Sequence, residues 1–170
     1  MKKMLRITVL VLLIICVLGA GGYAFLFGVT NAQKASICKK AFAENENAYT
    51  TAVSYLQTLS SEREDPLLLS VGHGEVYDCV SETILPMDEG AADAFARVAH
   101  SYTEHGMELN GIRVENDLVF FQSIDGRMNF IYVMDRSLSS RQQRQAVLTA
   151  FSQKGLRLNA LSAQWYCQYR

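Results

Sequence analysis

The sequence predicts an α+β fold: an N-terminal transmembrane helix, then a two-layer domain with a mostly antiparallel sheet and about three helices. Three observations support this prediction. A basic N-terminus precedes a long uncharged run, apolar residues recur at helical spacing in three later segments, and several short segments alternate apolar and polar residues. Helices grouped against a mostly antiparallel sheet are typical of α+β domains.

The uncharged run comprises residues 7–29 and follows Lys2, Lys3 and Arg6. A helix of that length, at about 1.5 Å per residue, covers roughly 34 Å, which exceeds the ~30 Å hydrocarbon core of a bilayer. The sequence therefore predicts that the chain is attached to a membrane through this segment.

The basic N-terminus also predicts the orientation, because Lys and Arg are enriched on the cytoplasmic side of a membrane span. Residues 1–6 form a short cytoplasmic tail, 7–29 a signal anchor and 30–170 a single extracytoplasmic domain in this prediction. The protein is then a single-pass protein of the cell membrane. A cleaved secretory signal is the alternative, since residues 7–18 alone have the length of a signal-peptide core, and its product would be secreted.

A long helix is predicted after the anchor, at residues 34–64, which contain neither Pro nor Gly. Its apolar side chains recur every three or four residues and so form a stripe along one face. The stripe consists of Ala35, Cys38, Phe42, Tyr49, Ala52, Leu56 and Leu59. Its breadth favours docking on the chain's own sheet, and the alternative is a coiled-coil homodimer through residues 35–59.

Turn and cap residues divide the rest of the chain. Asp65-Pro66 ends the long helix, because proline lacks a backbone donor and disfavours a helical residue before it. Asp125-Gly126 predicts a hairpin within an antiparallel meander. Asp88 is placed to cap a second helix and either Ser139 or Ser140 a third, and each helix is followed by a glycine. The predicted strands are 67–71, 76–83, 107–114, 118–124, 128–134 and 156–169.

Charge and motifs exclude several classes of function. The chain has 16 basic and 17 acidic residues, and three of the basic ones precede the anchor. Nucleic-acid binding depends on clustered Lys and Arg, so no nucleic-acid partner is expected. The sequence has no phosphate-binding glycine loop, serine-nucleophile motif or Cys-x-x-Cys. It therefore predicts no cofactor and no metal.

Histidines are the candidates for catalysis, although they do not complete a motif. His73 lies between two glycines, and Glu75 is close enough in sequence to orient its imidazole or to share a metal with it. His100 would supply a further ligand. An exposed turn explains the same residues without any chemistry, so the catalytic residues stay unknown.

Cysteines offer a candidate disulfide. Beyond the anchor the chain has Cys38, Cys79 and Cys167, and an odd number allows at most one internal bridge. In an oxidising compartment the sequence predicts a bridge between Cys79 and Cys167, because both fall in predicted strands. The alternative is that all three are small buried residues.

Aromatic residues provide a candidate interaction surface. Phe120-Phe121 and Trp165-Tyr166 are adjacent pairs in predicted strands, so one member of each points away from the core if only one sheet face is covered. Exposed aromatic faces commonly contact proteins or glycans. The candidate surface comprises Phe121, Tyr132, Trp165 and Tyr166. The alternative is that both sheet faces are covered, one of them by the long helix.

These features together predict a membrane-anchored extracytoplasmic binding or accessory module of a bacterial envelope assembly. Its expected partners are the membrane, through residues 7–29, and an envelope protein or a second copy of the chain. The alternative is an envelope hydrolase or metal-dependent enzyme that uses His73 and Glu75.

Overall fold

In the part of the chain that the structure describes, eight strands form one antiparallel sheet and three helices pack against it, so the α+β prediction is confirmed. The computed structural model describes residues 31–63, 65–72, 75–124, 126, 128–151 and 157–169. The predicted anchor at 7–29 lies outside these ranges. Within them, no helix has both the length and the apolar character that crossing a bilayer requires.

The helices are α1 (Asn31–Ser61), α2 (Glu89–Thr103) and α3 (Ser140–Ala150). Helices α2 and α3 begin next to the residues that the sequence predicts as caps. The Asp88 carboxylate accepts a hydrogen bond of 2.7 Å from the Ala91 backbone N–H and caps α2. Ser139 and Gln142 form a capping box at the start of α3. These side chains satisfy backbone N–H groups that a helix start leaves without partners.

The strands are β1 (Leu67–Gly72), β2 (Glu75–Asp78), β3 (Thr83–Ile84), β4 (Leu109–Glu115), β5 (Leu118–Ser123), β6 (Met128–Val133), β7 (Arg157–Ala160) and β8 (Trp165–Tyr169). Each pairs antiparallel with its neighbours. Across the sheet their order is β3-β2-β1-β4-β5-β6-β8-β7. Asn116 and Asp117 both have positive φ in the turn from β4 to β5, as a two-residue hairpin turn requires. The predicted meander is therefore present as β4, β5 and β6.

The last predicted strand, 156–169, is a hairpin rather than one strand. The chain turns between β7 and β8, where the Leu161 N–H donates to the Trp165 carbonyl at 2.8 Å. The sequence conceals this turn because Leu161, Ala163 and Trp165 alternate as in a strand, and no Gly, Pro, Asn or Asp lies between them.

The helices lie on both faces of the sheet, so the predicted two layers become three. Helices α1 and α2 pack on the face we call inner. There the rings of Phe42 and Trp165 are 5.1 Å apart, and the Tyr102 hydroxyl donates to the Phe121 carbonyl at 2.6 Å. Helix α3 packs on the opposite, outer face, where Val147 is buried in a separate hydrophobic cluster.

The apolar stripe of α1 docks on the sheet of its own chain, as its breadth predicts. Tyr49 lies at the centre of this contact, with its ring 5.0 Å from that of Phe130 and 5.6 Å from that of Trp165. The buried members of the stripe are Cys38, Phe42, Tyr49, Ala52 and Leu56. A coiled-coil homodimer through residues 35–59 does not fit this packing, because the sheet already covers the stripe.

Candidate functional site

The two predicted catalytic residues that the structure describes, Glu75 and His100, lie on opposite faces of the sheet. His73 lies outside the described residues. Glu75 is exposed on the outer side of β2, opposite the buried Val76, whereas His100 belongs to α2 on the inner face. His100 Nε2 instead lies 3.4 Å from Glu104 Oε1, one helical turn away. In the part of the chain that the structure describes, no three His, Cys, Asp or Glu side chains are placed to hold a metal ion.

The predicted aromatic interaction surface is buried. Phe121, Tyr132 and Trp165 belong to the inner-face core, and Tyr166 packs beneath α3 on the outer face. The Tyr166 hydroxyl donates to Gln143 Oε1 of α3 at 3.2 Å. The alternative interpretation, in which helices cover both faces of the sheet, is the one that describes these residues.

Cys79 and Cys167 do not come together either. Cys79 is exposed just after β2, and Cys167 is buried in β8. Four strands separate β2 from β8. At about 4.8 Å per strand this places the two cysteines roughly 20 Å or more apart, whereas the Cα atoms of a disulfide lie about 4.4–6.8 Å apart. The predicted pairing does not fit this fold.

An exposed apolar surface lies on the outer face of β1, β2 and β3. Helix α3 covers the outer face at the other end of the sheet, over side chains such as Ile131 and Tyr166. Beyond β4, none of the described helices covers this face. Leu68, Tyr77 and Ile84 there are 43%, 40% and 56% exposed. An apolar surface of this kind marks a contact site more often than a single exposed leucine does.

Strand register places these side chains side by side. Tyr77 pairs with Ile84 of β3, so the two side chains point the same way. The Cys79 backbone N–H donates to the Leu68 carbonyl at 2.8 Å, which places Cys79 opposite Leu68 on the same face. We call Leu68, Tyr77, Cys79 and Ile84 the edge patch.

Arg113 forms the border between the edge patch and the part of the sheet beneath α3. It pairs with Leu68 on one side and with Phe120 on the other. Its guanidinium carbon lies 4.5 Å from the centre of the Phe120 ring, and its Nη1 lies 3.3 Å from Glu115 Oε1. Stacking and ion pairing hold this cation against the sheet.

A buried carboxylate fixes the turn that follows β2. Asp78 Oδ1 accepts a hydrogen bond from the Val80 N–H at 2.9 Å, and Oδ2 accepts one from the Ser81 hydroxyl at 2.7 Å. Oδ2 also forms an ion pair with the Arg63 guanidinium. Burial by itself raises the pKa of Asp78, but the hydrogen bonds from Ser81, Arg63 and the Val80 backbone outweigh it and hold the pKa at about 2. The turn beside the edge patch is therefore anchored by a carboxylate that is ionised at neutral pH.

Acidic side chains flank the edge patch. Glu75 lies two residues before Tyr77 on the same side of β2 and is exposed. Glu82 ends the turn before β3, is also exposed, and has a φ of 56°. The cation beside Leu68, Arg113, is already paired with Glu115. The surface thus combines exposed apolar side chains with negative charge at its margin.

A cleft of about 400 Å³ lies elsewhere, between the end of α1 and the turn from β4 to β5. Arg63 and Asp117 are among its lining residues. Arg63 is committed to Asp78, and the Asp117 carbonyl accepts a hydrogen bond from the Met134 N–H at 2.8 Å. Two of its charged lining side chains are thus engaged in ion pairs, Arg63 with Asp78 and Glu115 with Arg113.

Comparisons with protein-family models, curated proteins and solved structures found no match for this chain. The candidate site consequently rests on its own geometry. The sequence contains one signal for it: Leu67-Leu68-Leu69 is a run of three leucines, and the middle one must face away from the other two in a strand.

Proposed function

We propose that this chain is a membrane-anchored extracytoplasmic binding module, an accessory subunit of an envelope assembly that docks a partner protein on the edge patch. The main support for the proposal is that Leu68, Tyr77 and Ile84 are exposed on the part of the outer face that α3 does not cover. Protein interfaces commonly join an apolar centre to a polar rim. The uncharged run at 7–29, preceded by basic residues, supports the anchor and its orientation.

Charge at the margin of the patch defines the partner. Glu75 and Glu82 favour a protein whose apolar contact surface is flanked by Lys or Arg. A second copy of this chain would set the same carboxylates against each other, so a different protein is favoured. The edge strand β3 has only two residues and offers little backbone for strand addition, so the partner docks on the face of the sheet.

The location is tested by adding protease to intact spheroplasts that carry a tag after Arg170. We expect the tag to be digested and the protein to resist an alkaline wash of the membranes, because a hydrophobic span holds it in the bilayer. A protected tag would place the domain in the cytoplasm and contradict the proposal. Release by the wash would indicate a cleaved signal and a secreted product.

The edge patch is tested by replacing Tyr77 with a photo-reactive phenylalanine analogue in the full-length protein. We expect irradiation of native membranes to give one defined cross-linked adduct, because Tyr77 lies at the centre of the patch. The same analogue at Leu148, an equally exposed residue of α3 at 39%, is the matched control and should give no such adduct. Equal cross-linking from both positions would contradict a specific site.

A charge reversal then separates binding from folding. With the cross-linked partner purified, Ile84→Lys should weaken binding about tenfold or more, because it buries a charge and repels basic flanks. Leu148→Lys should leave the affinity unchanged, and both variants should keep the melting temperature of the wild type. Unchanged affinity in Ile84→Lys would exclude the edge patch as the docking surface.

A further inference from the structure

We propose that Cys38 and Cys167 form an internal disulfide bridge that joins α1 to β8. Phe42 lies one turn after Cys38 on the buried side of α1, and its ring packs 5.1 Å from that of Trp165. Trp165 lies two residues before Cys167 on the inner face of β8, so the same contact that joins Phe42 to Trp165 sets Cys38 against Cys167. Both cysteines are buried as free thiols in the same hydrophobic cluster, and the nearby Cys38 is among the groups that raise the pKa of Cys167.

The third cysteine of the described residues has no place in this pair. Cys79 is exposed in the edge patch, on the opposite face of the sheet and beyond four intervening strands. The three cysteines of the described residues thus form one buried pair and leave one exposed thiol. The bridge would close a loop of about 130 residues and fasten the helix that follows the proposed anchor to the last strand.

The bridge requires an oxidant, and the chemistry identifies it as a small-molecule or protein disulfide. One cysteine thiolate attacks a sulfur of that disulfide and releases a thiol. The second cysteine then attacks the mixed disulfide and releases the other thiol. The two cysteines lose two protons and two electrons in total, and the oxidant is reduced to two thiols.

Burial determines when this exchange takes place. It raises the pKa of the Cys167 thiol, as does the neighbouring Cys38, and the thiolate is the species that attacks a disulfide. Once the core is closed, exchange is therefore slow. We expect the bridge to form during folding, before α1 is packed on the sheet.

The pairing is tested on the full-length protein, reduced and denatured, then refolded in a glutathione redox buffer and alkylated. Peptide mapping without reduction should recover a Cys38–Cys167 linkage with Cys79 alkylated. Reduction should then lower the melting temperature by roughly 5–15 °C, because the unfolded chain regains the entropy of an open loop. Cys79→Ser is the matched control and should keep both the linkage and the shift. A bridge to Cys79, or alkylation of all three thiols, would overturn the proposal.

In the cell the bridge also rests on the proposed extracytoplasmic location, because the cytosol keeps thiols reduced. Alkylation in intact cells, followed by the same mapping, separates the two proposals. A Cys38–Cys167 linkage in cells supports both. A linkage after refolding with free thiols in cells supports the pairing in this fold and contradicts the location.

Discussion

Asp78→Asn should lower the free energy of unfolding at neutral pH by about 2–4 kcal/mol, because it leaves a partly buried Arg63 without its counter-charge. Asparagine keeps the shape of the side chain but turns one acceptor oxygen into a donor. Urea unfolding of the detergent-solubilised full-length protein measures the change. Asp93→Asn is the matched control, since Asp93 lies 2.8 Å from Arg97 in an exposed pair on α2 and its loss should change stability by about 0.5 kcal/mol or less.

Acid unfolding provides a second measurement on the same carboxylate. The pKa of Asp78 falls from an ordinary 3.8 to about 2 in the fold, because donated hydrogen bonds outweigh burial. A lowered pKa contributes stability above about pH 4 that is lost as the pH falls through about 2. Between about pH 4 and pH 2, the free energy of unfolding of the wild type should therefore fall by about 2 kcal/mol more than that of Asp78→Asn. An equal loss of unfolding free energy in both proteins would show that a group other than Asp78 causes the loss of stability at low pH.

Local chemistry made much of the fold predictable. Asp88, Ser139 and Asp125-Gly126 act on their own neighbours in sequence, so the starts of α2 and α3 and the hairpin from β5 to β6 could be predicted from them. The spacing of the α1 stripe likewise shows which side of that helix is buried. Each of these signals depends on contacts within a few residues.

Placement across the sheet could not be predicted in this way. Phe120 and Phe121 must point to opposite faces, but only long-range packing decides that α3 covers the outer one with Val147. The predicted Cys79–Cys167 pairing does not fit the fold for the same reason, because the presence of a cysteine in a strand does not reveal the order of the strands in the sheet. Of the predicted site residues, Cys79 lies in the edge patch, but it was predicted as a disulfide partner and not as part of a docking surface. Exposure of the patch could not be predicted, because it depends on how much of the sheet α3 covers.

Tyr49→Ala should cost about 3–5 kcal/mol of unfolding free energy, since it removes the ring at the centre of the contact between α1 and the sheet. The Tyr49 ring lies 5.3 Å from that of Phe121 at a right angle, and 5.0 Å from that of Phe130. Its removal leaves a cavity that neighbouring strands, fixed by their ladders, cannot fill. Urea unfolding measures this loss, and a change below about 1 kcal/mol would contradict the packing described for α1.

Tyr49→Phe separates the ring from its hydroxyl. The Ser101 hydroxyl donates its single hydrogen to the Val98 carbonyl at 2.7 Å and accepts a hydrogen bond from the Tyr49 hydroxyl at 2.8 Å. Loss of the Tyr49 hydroxyl should therefore cost only about 0.5–1.5 kcal/mol. Burial raises the pKa of Tyr49 above its ordinary 10.0, outweighing the Ser101 hydrogen bond. The contribution of the Tyr49 hydroxyl to stability is thus present below about pH 10. It is lost at higher pH, because Tyr49 ionises in the unfolded chain before it does so in the fold. Tyr49→Phe should lose less stability than the wild type above that pH, and an identical alkaline loss would mean that the hydroxyl is not buried as described.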